Sequence, residues 1–292
     1  RDIVYGQGVI RKDGEDVSRE LWMDAYLPKG VDGPRPTVIY THGGAFHHGS
    51  PRTGYVVEGA QSSSPADYCH LFAGLGYAGF AILYRLGPED PVASGKGYTK
   101  DQSNRDSISL MLDRVNVIRT GLGMEPLDAA NPRDLKSLSD TVLAAAEDLR
   151  GAYDYIVRDA DRFQVDTDRI VLGGFSAGAV TSLNGAHGMQ APVAGMFMLS
   201  GGPVGFDLGK TMTAKTKNAP TLMFVGQYDL SGAIVSAPSL ITYYNQIGVD
   251  LTLAWVAGFG HFYPSGAISL AADGTRQSVD QRLVEFVARV TQ

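Results

Sequence analysis

The residues most able to do chemistry are concentrated in Gly174-Phe175-Ser176-Ala177-Gly178, a Gly-x-Ser-x-Gly spacing between an apolar run at residues 170–172 and a helix-compatible segment. A serine on a sharp strand-to-helix turn takes a strained backbone, and its neighbours must be small for the chain to close. Such a turn lifts the Ser176 hydroxyl above a sheet edge. The N–H groups opening the next helix then point to where negative charge would grow on an attacked carbonyl oxygen. The pattern is short, and in a chain with 36 glycines it also arises in ordinary strand-turn-helix connections, so its partners must decide.

A serine hydroxyl is a weak nucleophile and needs a histidine to take its proton and a carboxylate to orient that histidine. Of the six histidines, His42, His47 and His48 follow an early apolar run, His70 lies in a helical pattern, and His187 follows the segment after Ser176. A chain order of serine, acid, histidine leaves His261, in Gly258-Phe259-Gly260-His261-Phe262 beyond the last apolar run. Three aspartates need weighing between Ser176 and His261. Asp250 precedes its strand and belongs at the opposite sheet edge; Asp207 is reachable after several loop residues; Asp229 directly follows the apolar run at residues 220–226. Asp229 is the expected acid, with Asp207 the alternative. For the oxyanion, His42-Gly43-Gly44-Ala45-Phe46 supplies a Gly-rich turn after a buried strand. The amides of Gly44, Ala45 and Ala177 are the expected donors, with Gly43 and the His42 imidazole supporting the loop. A metal on His42, His47 and His48 fits no ligand spacing and has no acidic residue nearby, so no metal is expected.

The elements that must position these groups read as alternating strands and helices. Residues 21–27 alternate as a half-buried strand; residues 36–41, 79–86, 193–200, 220–226 and 251–256 are continuous apolar runs of the kind buried in parallel sheets. Ser64-Pro65 opens one helix, Ser139-Asp140 is read as the cap of a long one, and the last carries Val279, Leu283, Phe286, Val287 and Val290. This rhythm predicts a doubly wound parallel sheet in one α/β domain over all 292 residues, with ligands beyond the carboxyl ends of the strands. Residues 87–138 break the rhythm. They read as an insertion with its own helix (Ile108, Met111, Leu112, Val115, Ile118), serving either as a lid or as a surface excursion packed on the rim. Gly74-Leu75-Gly76-Tyr77-Ala78-Gly79 matches a dinucleotide fingerprint but follows a helix and precedes a strand, the reverse of what pyrophosphate binding requires. The carboxylate pairs Glu89-Asp90 and Glu147-Asp148 read as surface charge.

Composition narrows the partners. A formal charge of −6 without any basic run argues against nucleic acid, and no 18-residue apolar stretch is present to span a membrane. The single Cys69 excludes an intrachain disulfide and is expected on a buried helix face. The chain starts at Arg1 with neither an initiator Met nor a signal-like apolar segment, as expected if a signal peptide, tag or tail has been removed. A soluble protein of the cytoplasm, periplasm or exterior is compatible with this, and oligomeric state is left open.

Taken together, the His42 to Phe46 loop, the Ser176 turn, Asp229 and His261 resemble the α/β-hydrolase esterases in type and order. The similarity is greatest to the carboxylesterase, hormone-sensitive-lipase-like and feruloyl- or acetyl-xylan-esterase-like groups, and weaker to kynurenine formamidases. It implies an eight-stranded, mostly parallel sheet with helices on both faces, a cap above the site, and acyl-serine chemistry on a small-molecule ester without a cofactor. Amidase or formamidase chemistry with the same residues, or a non-catalytic ligand-binding relative, are the alternatives it carries. Phe175 stands where hormone-sensitive-lipase relatives carry Asp and type B carboxylesterases Glu; Ala45 stands where many relatives have a third Gly; and residues 87–138 fit none of these groups. Phe46, Phe175, Phe206, Tyr228 and Phe262 are candidates to line a substrate pocket, with Tyr98, Met111 and Phe259 also considered.

Overall fold

A computed structural model describes residues 1–57 and 59–292. Its main sheet contains β1 (Ile3–Lys12), β2 (Glu15–Tyr26), β3 (Arg35–Thr41), β4 (Ala78–Ile82), β5 (Val165–Phe175), β6 (Gly195–Leu199), β7 (Thr221–Tyr228), β8 (Leu251–Gly260), β9 (Ile268–Ala271) and β10 (Arg276–Ser278). In space the order is β1-β2-β4-β3-β5-β6-β7-β8-β9-β10. The six strands from β4 to β8 are mutually parallel, and antiparallel pairs flank them at both edges. The central strands are apolar along their length because both faces are covered, and β4 and β6 are buried at every residue.

The covering helices are α1 (Pro65–Gly74), α2 (Leu112–Gly121), α3 (Pro132–Arg158), α4 (Ala177–Leu183), α5 (Ser231–Ile247) and α6 (Val279–Val290). Successive strand side chains point to opposite faces. Ile39, Leu172 and Met223 meet Leu149 of α3, Leu183 of α4 and Tyr244 of α5. On the other face Val38, Val171 and Phe224 join a core with Tyr68 and Phe72 of α1 and Leu283 and Val287 of α6. Cys69 is fully buried in that second core. Ser64 caps α1 in a reciprocal box with Asp67, and Pro65 takes the first helical position. Gly74 closes the same helix, so the glycines that mimic a dinucleotide fingerprint form a helix-ending turn.

Ten strands stand where eight were expected: seven correspond to the runs read from the sequence, and β1 at one edge with β9 and β10 at the other complete the sheet. The expected cap Ser139-Asp140 is corrected: both residues are buried inside α3, which starts seven residues earlier with Asn131 as its cap, the side chain accepting from Arg133 N at 3.0 Å. Glu147 and Asp148 are not surface charge. Asp148 is 2 % exposed and takes the Arg85 guanidinium at 2.7 to 3.0 Å together with the Arg85 backbone N–H at 2.8 Å. Glu147 accepts the backbone N–H groups of Ser94 and Gly95. Glu89 likewise has a structural task, bonding Leu86 N and pairing with Arg19.

Residues 87–138 are anchored rather than free. Ser103–Asn104 pairs with Gly205–Phe206 as a two-residue ladder. A 3-10 turn, Asp106–Met111, runs into α2. Ile108, Leu112 and Val115 pack with Leu138, Val142 and Val180 in a third apolar cluster. Among the described residues, no helix is long and apolar enough to cross a membrane.

Candidate active site

The turn between β5 and α4 is as tight as its sequence implies. Ser176 sits at φ 55°, ψ −119°, a conformation costly for a residue with a Cβ. It is held by Ser176 N–H donating to Leu199 O at 2.8 Å and by Val180 N–H donating to Ser176 O at 3.1 Å. A Cβ on Gly174 would meet the Gly178 backbone at 2.4 Å, and one on Gly178 would lie 2.0 Å from Thr41 O. Both glycines are therefore required by backbone packed on backbone.

Three side chains from three strand ends converge here. His261 Nε2 lies 2.8 Å from Ser176 Oγ, and His261 Nδ1 lies 2.6 Å from Asp229 Oδ1. Asp229 is enclosed by donors: Leu230 N–H reaches Oδ1 at 2.8 Å, while the Ser200 hydroxyl at 2.5 Å and Gly226 N–H at 3.0 Å reach Oδ2. Burial pushes its carboxyl pKa up, but the bonds and charge from His261, with those from Ser200 and Gly226, outweigh burial and hold it below the ordinary value. Ser200 Oγ is in turn 3.0 Å from Tyr263 Oη. The His261 ring packs against Phe175 and Phe262, each with centroids 5.1 Å away. Asp207 is elsewhere: its carboxylate caps the four-residue helix Leu208–Thr211 through Gly209 N.

The loop after β3 runs beside the serine, since a Cβ on Gly43 would lie 3.2 Å from Ser176 Cβ. Gly44, Ala45 and Phe46 all have positive φ, at 113°, 51° and 61°. Ala45 and Ala177 border the same cavity as Ser176. His42 is wholly buried and stacked 4.3 Å from Tyr84, its Nδ1 2.7 Å from Gly43 O. Burial pushes its pKa down to about 4, so the ring is neutral. His47 also holds this loop, with Nδ1 2.9 Å from Ala45 O and Nε2 3.2 Å from Arg119 Nη1.

The cavity at Ser176 has a volume of about 240 Å³. Its walls are mainly apolar, with Leu110, Met111 and Val117 from the 3-10 turn and α2, Val180 from α4, and Leu230 just ahead of α5. The five aromatic residues expected there lie elsewhere. Phe46 is buried under Tyr84, Phe206 packs on Tyr98, Tyr228 is 68 % exposed, and Phe175 and Phe262 back the His261 ring. Of the wider set only Met111 reaches the cavity. Unanticipated contributors are Ser200 and Tyr263 behind Asp229 and Arg114 in the cavity wall. Ser200 had a usable signal, since it directly follows a buried parallel strand at the ligand-binding edge.

No protein-family model matches the chain, and no curated protein matches it. Among solved structures it is similar to Est2, a thermophilic esterase from the Planctomycetes species Thermogutta terrifontis. That match has a TM-score of 0.57 at 15% identity, covering 99% of this chain and 90% of that one. The propionate-bound form of that esterase gives 0.57 at 15% identity, covering 99% and 92%. The form phosphorylated by paraoxon gives 0.56 at 16% identity, covering 98% and 90%. At such low identity the likeness speaks to architecture, and together with the sheet order it shows that this chain has an α/β-hydrolase-like fold.

Proposed function

We propose that the protein is a serine hydrolase cleaving a carboxylic ester of a small or medium-sized molecule. The observation that carries this reading is the unbroken hydrogen-bonded chain from Ser176 through His261 to Asp229, opening on an apolar cavity. Ser176 Oγ attacks the ester carbonyl as His261 Nε2 takes its proton. The neutral Nδ1–H tautomer this requires is selected by Asp229, whose charge then stabilises the imidazolium. The amides of Gly44, Ala45 and Ala177 bind the oxyanion, and the α4 N-terminus adds a favourable field. His261 returns the proton to the leaving alcohol; water, activated the same way, then releases the acid from the acyl-serine.

Residues 87–138 are assigned as a cap on one α/β-hydrolase domain, which is supported by Leu110, Met111 and Val117 closing one side of the cavity. Its size favours short acyl or alkyl groups, since an apolar cavity of roughly 150 Å³ accommodates a benzene-sized molecule. The structural likeness to an esterase captured with paraoxon and with propionate supports the same chemistry here. Hydrolysis of p-nitrophenyl butyrate by wild type and by Ser176→Ala is the test, with fluorophosphonate labelling read by peptide mass. Labelled Ser176 and a drop in kcat of roughly 1,000-fold or more in the variant are expected. Equal rates in the two proteins would overturn the assignment.

A further inference from the structure

Among the described residues, the lining of this mainly apolar cavity includes one arginine and no lysine. Arg114, in the first turn of α2, borders the same space as Ser176 and His261. It is half-buried. Among the described residues, no hydrogen bond or ion pair engages its guanidinium, in contrast to Arg85, which pairs with Asp148 and donates to the Val9 and Val92 carbonyls, and to Arg52, which pairs with Asp24. Its nearest organised contact is the Phe262 ring, 5.8 Å from Cζ, which can orient a guanidinium but supplies no counter-charge. Burial lowers its pKa, and His48, on the oxyanion-loop side, is lowered by burial and then by the Arg114 charge. Asp113 also borders the cavity, but it is exposed. A guanidinium left partly desolvated without a partner is unfavourable, and a ligand anion would relieve that cost with a forked, charge-assisted contact.

We propose that Arg114 sets the specificity of this site, and that the substrate is a short ester bearing a carboxylate, with the anion on Arg114 and the reacting carbonyl at Ser176. This rests on the ester-hydrolase reading for the reaction, though not for the anion subsite itself. Titration calorimetry of monomethyl glutarate and uncharged dimethyl glutarate into Ser176→Ala protein measures the subsite without turnover. The monoester is expected to bind more tightly than the diester. Adding Arg114→Gln should weaken the monoester roughly 10- to 100-fold and leave the diester within about threefold. Arg114→Lys should recover part of the loss, which a merely structural arginine would not show. The preference should also shrink at high ionic strength. Equal affinity for the two esters, or equal losses for both in Arg114→Gln, would overturn the proposal. If p-nitrophenyl butyrate is hydrolysed and the charged preference is absent, the subsite fails alone; if the preference is present without hydrolysis, the reaction assignment fails alone.

Discussion

Replacing Asp229 by Asn separates orientation from charge, because the carboxylate accepts four hydrogen bonds and an amide has one oxygen. With that oxygen toward His261 Nδ1 and Leu230 N, the new NH2 group faces Gly226 N–H; the Ser200 hydroxyl can turn to accept, but the amide N–H cannot. With the NH2 group toward His261, Leu230 N–H is stranded and the imidazole must carry its proton on Nε2, where it can no longer accept from Ser176. Either orientation orphans one backbone donor, at about 1–3 kcal/mol. The first retains a base without its stabilising charge, and the second has no base. A fall in kcat of roughly 1,000- to 10,000-fold is expected, about 4–5.5 kcal/mol of transition-state stabilisation. Steady-state hydrolysis of p-nitrophenyl butyrate measures it, with thermal unfolding confirming a loss of only a few degrees. Asp207→Asn should stay within threefold, because Asn also caps a helix. A folded Asp229→Asn enzyme within tenfold of wild type would refute the orienting role.

Other expectations follow from the same contacts. Gly178→Ala forces a Cβ to within 2.0 Å of Thr41 O, so a loss of more than about 3 kcal/mol in chemical denaturation is expected. Asp148→Asn strips the charge paired with buried Arg85 and should cost about 3–5 kcal/mol, read as a lowered denaturation midpoint. His42 and His187, both buried, are pushed down to about 4 from an ordinary 6.5. The unfolded chain then binds more protons between pH 6.5 and 4, so stability should fall as pH drops through that window, by about 3 kcal/mol per histidine; a flat denaturation midpoint there would contradict it. Asp229 acts lower: its depressed carboxyl stabilises the fold above the ordinary carboxyl pKa and loses that contribution as pH falls through the folded value, a component Asp229→Asn should lack.

The parallel core of the sheet was readable because strands covered on both faces must be apolar at every position. Edge strands carry no such signature. β1 has an irregular burial pattern with most residues half or fully exposed, and β9 and β10 are four and three residues long. The start of α3 was hidden for a related reason: its first turns hold Arg133, Asp134 and Lys136, and continuous burial begins only at Leu138. Glu147 and Asp148 misled because charge on a helix ordinarily faces solvent, and the Arg85 that takes Asp148 inward comes 63 residues earlier in the chain.

The same contrast runs through the site. Ser176, Asp229 and His261 could be placed because each lies at or just beyond the end of a parallel strand, and parallel strands bring their carboxyl ends to one edge whatever the loops do. The cavity wall obeys no such rule. Whether Phe46 or Met111 reaches the cavity depends on how residues 106–117 settle on Leu138, Val142 and Val180, contacts that no local period encodes. Periodicity placed Met111, Leu112 and Val115 on a single apolar face, yet Leu112 and Val115 are buried in the third cluster while Met111 borders the cavity. Arg114 sits between them in sequence and looks like any polar helix position until that packing places it in the wall of the cavity that Ser176 also borders. The convergence of Ser176, Asp229 and His261 is thus set by short turns fixed by sheet topology, whereas the cavity wall is set by the packing of residues 106–117 on the third apolar cluster, which no short motif records.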